Sequence, residues 1–339
     1  MSIFSDKLQI GKHQLKNRAF LAPMAGITDA PFRSIAVKYG AGLVVSEMIA
    51  SASLGTGQKH MLRRLNNNSD ELHKNNMPHV VQLSGNEEKW LELAAKIAKH
   101  AGADIIDINF GCPSKRVTTG FAGAALMREP DKALRLIEAV TNATELPISV
   151  KMRLGWDNDN INVLEIASLA QSAGAQMIIV HARTRQQFYK GRADWHKVRP
   201  VVEALDIPVI INGDIIDENS SSLALKQSGA AGVMIGRAAL GNPWIVGQIG
   251  EFLEGENVPI SPSSEQLGQV IIEHYNAMMS EYGERLAVRI ARKHLRKYIE
   301  CSSVKITKEQ MQTLLTCTSA DQVINNISQL FNSKNSAAA

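Results

Sequence analysis

Cys112 lies in the run IDINFGCPSKRV, residues 106–117, on a Gly-Pro stretch directly after a short apolar segment. A thiol placed there can project over a bound molecule without being buried. Because thiols are mostly protonated at neutral pH, it could donate a proton. A lone cysteine is more often a small buried hydrophobe, so position rather than residue type makes Cys112 a candidate. Lys151 closes another apolar segment, where a fixed ammonium could stabilise negative charge on a ligand, form a salt bridge or carry a Schiff base. Asn212-Gly213-Asp214 and Gly236-Arg237 combine glycines that permit close backbone approach with a guanidinium that can fork onto phosphate oxygens. Cys301 and Cys317 form no CxxC pair with Cys112 or with each other, so neither a disulfide framework nor a metal centre is expected.

These groups need elements to hold them, and short β-branched runs recur at 19–24, 42–48, 79–85, 103–109, 147–153, 176–182, 207–213 and 231–236, each followed by a helix-length stretch. The runs are continuously apolar, as in a parallel sheet covered on both faces. Gly102, Gly174 and Gly229 precede strands where helices should stop, and Thr28, Asp29 and Pro31 resemble a helix start. Eight β/α units predict a closed (β/α)8 TIM barrel, with a doubly wound open sheet as the alternative. In such a barrel function collects at the C-terminal strand ends, which here carry Met24, Glu47, Gln82, Asn109, Lys151 with Arg153, His181 with Arg183, Asn212 with Asp214, and Arg237. So many polar groups would be costly without partners, and a polar ligand over the mouth accounts for them. The loops after strands seven and eight are the usual phosphate site of the fold.

Strand signals end near residue 245. The stretch 254–264 carries two prolines, and amphipathic helices follow. The expected organisation is a barrel over 1–245, a small all-helical unit over 246–334 and a disordered tail over 335–339. Within the helical unit, Arg285, Arg289, Arg292 and Arg296 fall in a narrow arc, which Lys293 and Lys297 extend. Val288, Ala291, Leu295 and Tyr298 face elsewhere. No acidic residue interrupts 285–297, so a phosphate-binding stripe is expected rather than a salt-bridged surface. The formal charge of +4 fits an anionic partner. The N-terminus shows no basic patch followed by a long apolar run, and no later stretch is long and apolar enough to cross a bilayer, so a cytoplasmic protein is expected.

The segment 106–126, with Asn109, Gly111, Cys112, Pro113, Val117 and the Gly123 to Leu126 run in register, resembles the signature of the tRNA-dihydrouridine synthase family. PMAGITDAPFR (23–33), SEM (46–48), VQLSG (81–85), VKMRLGW (150–156), HARTR (181–185), NGD (212–214) and MIGRAALGNPW (234–244) are similar to that family too. YGERLAVRIARKHLRKY (282–298) is similar to the helical tRNA-binding unit of its bacterial B branch. One departure is VTTGFA (117–122), which lacks the Lys or Arg that relatives often carry. The resemblance implies non-covalent FMN, with Pro23, Met24 and Ala25 lining it, Gln82 and Lys151 hydrogen-bonding its ring, and His181, Asn212, Gly213, Asp214, Gly236 and Arg237 reaching its ring or phosphate side. It implies NADPH as reductant, hydride transfer from flavin N5 to C6 of uracil, Cys112 as the acid toward C5, and tRNA as the substrate with no obligate protein partner. Asn109, Arg153 and Arg183 become candidates for holding the uracil, with bracing of the loop as the other reading. A barrel flavoenzyme acting on a free pyrimidine and a flavin-free RNA-binding scaffold are the competing classes.

Overall fold

The computed structural model describes residues 6–65 and 70–331. The tail expected at 335–339, and the last residues assigned to the helical unit, lie outside them. An antiparallel hairpin, β1 (Gln9–Ile10) with β2 (His13–Gln14), precedes nine parallel strand segments. These are β3 (Ala19–Leu21), β4 (Leu43–Val44), β5 (Ile49–Ala50), β6 (Val80–Ser84), β7 (Ile105–Phe110), β8 (Ile148–Arg153), β9 (Met177–His181), β10 (Val209–Asn212) and β11 (Gly232–Ile235). Their order, β4-β3-β11-β10-β9-β8-β7-β6-β5, ends on two segments consecutive in the chain, so the sheet closes on itself as a (β/α)8 TIM barrel and the open-sheet alternative falls away.

The second strand is interrupted between β4 and β5. There Val45 bridges Val80, the Ser46 N–H donates to Val80 O at 3.0 Å, and Ser46 Oγ accepts from the Gln82 N–H at 2.9 Å. A side chain thus replaces a backbone partner in the ladder, which frees the chain to turn Glu47 toward the mouth. Asp29 caps the helix Ala30–Lys38 by accepting from the Phe32 N–H at 3.0 Å. Gly102, Gly174 and Gly229 take φ of 82°, 96° and 73°, the left-handed conformation that ends a helix cheaply only at glycine.

The helix Ile245–Glu254, which the sequence assigns to the helical unit, packs on the barrel instead. Its Ile245, Val246, Ile249 and Leu253 belong to the barrel core. Gly247 allows this close approach, since a Cβ there would meet Tyr39 O at 1.8 Å. We therefore place the division between the two units in 255–263 rather than at 245. Helices Ser264–Tyr282, Glu284–Cys301, Lys308–Thr316 and Ala320–Phe331 form a second core, to which the barrel contributes Ile35 and Trp244. Tyr282 Oη donates to the capping Asp29 at 3.0 Å, so the helical unit is tied to the first barrel helix.

Phe32 packs against His274 and His294, whose rings lie 4.9 Å apart in this junction. His274 Nε2 and both His294 ring nitrogens are buried without hydrogen-bond partners among the described residues. Burial pulls His274 down to about 4, from an ordinary value of 6.5, and pulls His294 well below its usual range. Between about pH 4 and 6.5 the unfolded chain therefore binds the proton that folded His274 refuses, and stability falls as pH drops through that window. For a shift of this size the loss is about 3 kcal/mol at its fullest. Thermal unfolding measured from pH 7 to pH 4 should show a falling midpoint with a shallower slope in His274→Leu. Equal slopes in the two proteins would clear His274 of this role.

Candidate functional site at the barrel mouth

Residues two apart on a strand face the same side, so Gln82, Asp107 with Asn109, Ser149 with Lys151 and Arg153, His181 and Asn212 share the barrel interior. Hydrogen bonds join most of them into two groups, one around Asp107 and one around Lys151, which interact through the two opposite charges. Asp107 accepts from Gln82 Nε2 and from Ser149 Oγ, each at 2.6 Å. Asn109 Nδ2 donates to Gln82 Oε1 at 2.9 Å, and Asn109 Oδ1 accepts the N–H groups of Gly111 at 3.2 Å and Cys112 at 2.9 Å. Lys151 Nζ donates to Asn212 Oδ1 at 3.1 Å, while Asn212 Nδ2 donates to Met234 O at 2.7 Å. Burial drives the charges of this network toward neutrality: Asp107 is pushed up to about 6, opposed by Gln82, Ser149 and Lys151. Lys151 is pulled down to about 8 by burial and then by Arg153, against Asp107.

The Cys112 loop leaves the end of β7 under restraint from several sides. Arg153, buried at 1% exposure, donates through Nε to Gly111 O at 2.8 Å and through Nη1 to Thr184 O at 3.0 Å and Phe188 O at 2.9 Å. The Ala124 N–H reaches Cys112 O at 3.0 Å, which is possible because residue 123 is glycine: with φ 59°, a Cβ would meet Cys112 O at 2.9 Å. Cys112 itself is half-buried, with Sγ 3.7 Å from Ser114 Oγ. The segment 117–122 is tied down by Arg185 at Thr118 Oγ1 and by Asn86 at Gly120 O.

After the neighbouring strand β9, Arg183 is buried and donates to Lys190 O, Gly191 O and Asp214 Oδ2, the last at 2.6 Å. Asp214 also takes the Ala193 N–H at 2.8 Å and Arg237 Nη2 at 3.3 Å. Burial raises the Asp214 carboxyl, but these donors and the two guanidinium charges outweigh it and hold the pKa below the usual carboxylate value. Arg237 is 61% exposed and lies over the Tyr189 ring, 5.2 Å from its centroid. His181 titrates well below its usual range because it is buried among Arg153, Lys151, Arg183 and Arg237, so it is neutral at physiological pH. Gly213, at φ 114°, brings its backbone against the His181 ring, and Trp195 Nε1 donates to Gly213 O. Pro23 and Met24 are half-buried and Ala25 exposed on the loop after β3, where the Met24 N–H donates to Thr28 Oγ1 at 2.8 Å and the Gly26 N–H donates to Glu47.

Several expected ligand contacts are occupied within the protein. Asn109, Arg153 and Arg183, considered for the uracil, brace loops. Asn212, expected at the cofactor, has both ends of its amide engaged inside the barrel. Asp214 holds two arginines. Gln82 has one amide proton and one lone pair engaged, leaving one of each, and among the described residues Lys151 makes its single hydrogen bond to Asn212. Asp107, Ser149 and Tyr189 were not singled out in the sequence. Asp107 could have been, since it shares a strand face with Asn109 inside an otherwise apolar run.

The basic stripe is narrower than the sequence suggests. Arg285, Arg289 and Arg296 are exposed, and Val288, Ala291, Leu295 and Tyr298 are buried. Lys297 pairs with Glu300 at 2.6 Å, an acid three residues beyond the stripe. Lys293 turns inward, where a Cβ on Gly26 would sit 3.3 Å from its Nζ. It helps line a cavity of about 220 Å3 between the mouth and the helical unit, together with Asp29, Arg33, Glu47 and Tyr282. No helix among the described residues is long and apolar enough to cross a membrane, and no cluster of acidic, histidine or cysteine side chains there is arranged to hold a metal.

Fold and mouth together define a (β/α)8-barrel enzyme with a loop thiol near the buried cations Lys151 and Arg153 at the mouth. The family model described as dihydrouridine synthase matches residues 20–335. A protein of Rhodobacter capsulatus described as a probable tRNA-dihydrouridine synthase is 49% identical over 312 residues, 92% of this chain and 94% of the relative. The tRNA-dihydrouridine synthase B of Vibrio cholerae is 42% identical over 295 residues, 86% of this chain and 89% of the relative. Among solved structures, morphinone reductase in complex with tetrahydroNAD shares the fold at a TM-score of 0.53 and 13% identity, covering 76% of this chain and 92% of that one. A 2-naphthoyl-CoA reductase complex matches at a TM-score of 0.58 and 13% identity, and this chain spans about half of it, 52%. The chain belongs to the dihydrouridine synthase family.

The bracing role of Arg153 is open to test. Arg153→Met should leave Gly111 O, Thr184 O and Phe188 O without their donor and cost about 1–3 kcal/mol. Amide hydrogen exchange at residues 111–112 should accelerate. Wild-type exchange in a folded variant would show that the loop is held without Arg153.

Proposed function

We propose that this protein reduces specific uridines in tRNA to 5,6-dihydrouridine, with FMN bound at the barrel mouth, NADPH as reductant and Cys112 as the acid. The supporting observation is the placement of Cys112: a thiol on a loop braced by Asn109 and Arg153, facing the same mouth as Lys151 and His181.

The donor set fits an anionic, hydrogen-bonding cofactor. Lys151 and the free half of the Gln82 amide supply donors toward a ring. Gly213 and Gly236 permit close backbone approach, and the exposed Arg237, held by Asp214, supplies a guanidinium for a phosphate. Pro23, Met24 and Ala25 supply the wall beside β3. FMN held there and reduced by NADPH would supply a hydride for uracil C6. The protein's own residues do the rest: Lys151 places positive charge where negative charge accumulates, neutral His181 contributes a hydrogen bond without adding to the crowd of cations, and the Cys112 S–H delivers a proton to C5. The overall balance is uracil, NADPH and one proton giving dihydrouracil and NADP+. A stacked base reaches this well only after leaving its helix, so the RNA must be gripped elsewhere, and Arg285, Arg289 and Arg296 offer that grip.

Cys112→Ala should bind flavin and tRNA like the wild type yet form dihydrouridine about 100 to 10,000-fold more slowly. Single-turnover mixing of the reduced protein with unmodified tRNA measures this, and an undiminished rate would remove Cys112 as the acid. Reduction of free uracil without reduction of tRNA would favour a free-pyrimidine enzyme instead.

Replacing Arg289 and Arg296 with Gln should weaken binding to all tRNAs and lower the slope of log affinity against log salt by about 1 to 2, with flavin content unchanged. Wild-type affinity and slope would move the RNA to another surface.

A further inference from the structure

We infer that Asp107 is a positioning residue for the Cys112 loop, acting through the side-chain amides of Gln82 and Asn109. Asp107 lies one layer below the mouth and touches neither the loop nor the open well. It is 1% exposed and accepts from Gln82 Nε2 and Ser149 Oγ, each at 2.6 Å.

The inference follows from which groups can donate. A carboxylate only accepts, so Gln82 must turn its NH2 to Asp107 and its Oε1 away from it. That oxygen can then be met only by a donor, so Asn109 turns its NH2 to Gln82 and its Oδ1 toward the loop. There the Oδ1 receives two N–H groups, those of Gly111 and Cys112. Reversing Gln82 would reverse Asn109 and aim an NH2 at those two N–H groups, and the loop would lose its anchor. One buried charge thus sets the direction of three successive hydrogen-bonding steps, and Ser149 and Lys151 stabilise it from the far side.

The turnover arm of the test rests on the proposed reaction, and the alkylation arm does not. Iodoacetamide labelling of Cys112 in the flavin-free protein, followed by peptide mass spectrometry, reports how the loop presents its thiol. Asp107→Leu, which keeps the size and removes the acceptor, should change that labelling rate in the same direction as Asn109→Ala, and should slow single-turnover uridine reduction by about tenfold or more. Asp107→Asn keeps the size but offers Gln82 an NH2 as readily as an oxygen, so the direction of the relay is no longer fixed and both readouts should lie between those of Asp107→Leu and wild type. The double variant Asp107→Leu with Asn109→Ala should be no worse than the poorer single variant, as expected of groups acting in series. If Asp107→Leu does not fold, Gln82→Met, which cuts the relay and leaves the carboxylate in place, must reproduce the labelling change. Wild-type labelling in a folded Asp107→Leu or in Gln82→Met, or effects of Asp107→Leu and Asn109→Ala that multiply, would overturn the inference. If wild type reduces no tRNA while the labelling pattern holds, the reaction assignment fails and the positioning role stands.

Discussion

A carboxylate and an ammonium share the closed interior of the barrel, and the arrangement of the mouth depends on keeping both satisfied. Asp107 and Lys151 are each driven toward neutrality by burial and each drawn back toward charge by the other. Neither would be tolerated alone in so apolar a setting. Around them Ser149, Gln82, Asn109 and Asn212 have little freedom of orientation, because every amide and hydroxyl must complete the pattern that the two charges impose. The Cys112 loop is then anchored from below by this network and from the side by Arg153, whose guanidinium serves backbone carbonyls of two different loops.

The same economy governs the cationic side of the well. Four positive groups, Lys151, Arg153, Arg183 and Arg237, surround His181, and the histidine responds by staying neutral. Asp107 offsets Lys151 from below, and Asp214 holds a buried arginine and an exposed one at once. The result is a mouth with surplus positive charge but few free side-chain donors, so a ligand would meet Arg237, Lys151 and backbone more than a ring of loose polar groups.

The barrel strands were legible because strands covered on both faces must be nearly continuously apolar, and polar residues break that run mainly toward the mouth. The glycines at 102, 174 and 229 were legible because left-handed helix ends have few other solutions. The interruption of the second strand was not, since it depends on Ser46 finding Gln82 across the sheet. Helix 245–254 was misassigned because an apolar face does not say which core it joins; here the nearest apolar surface lay on the barrel, across Gly247. Charged side chains were least legible. Lys293 and Lys297 sit at the right helical angles for the stripe, but one turns into the cavity beside Gly26 and the other closes on Glu300. The uracil candidates Asn109, Arg153 and Arg183 were identified as mouth residues, yet their partners are loop backbone groups and the side chains of Gln82 and Asp214, which spacing along the chain does not reveal.

Tyr282 and Asp29 join the two units at a point that is also the start of the first barrel helix, and Ile35 and Trp244 extend the helical core into the barrel. The arginines on Glu284–Cys301 therefore stand at a fixed span from the thiol at Cys112, set by packed side chains rather than by the reach of a tether. On the proposed tRNA reading, such a body works as a caliper: an RNA seated on one jaw has a single stretch of its length delivered to the other, and the identity of that stretch is decided by geometry before any base edge is read.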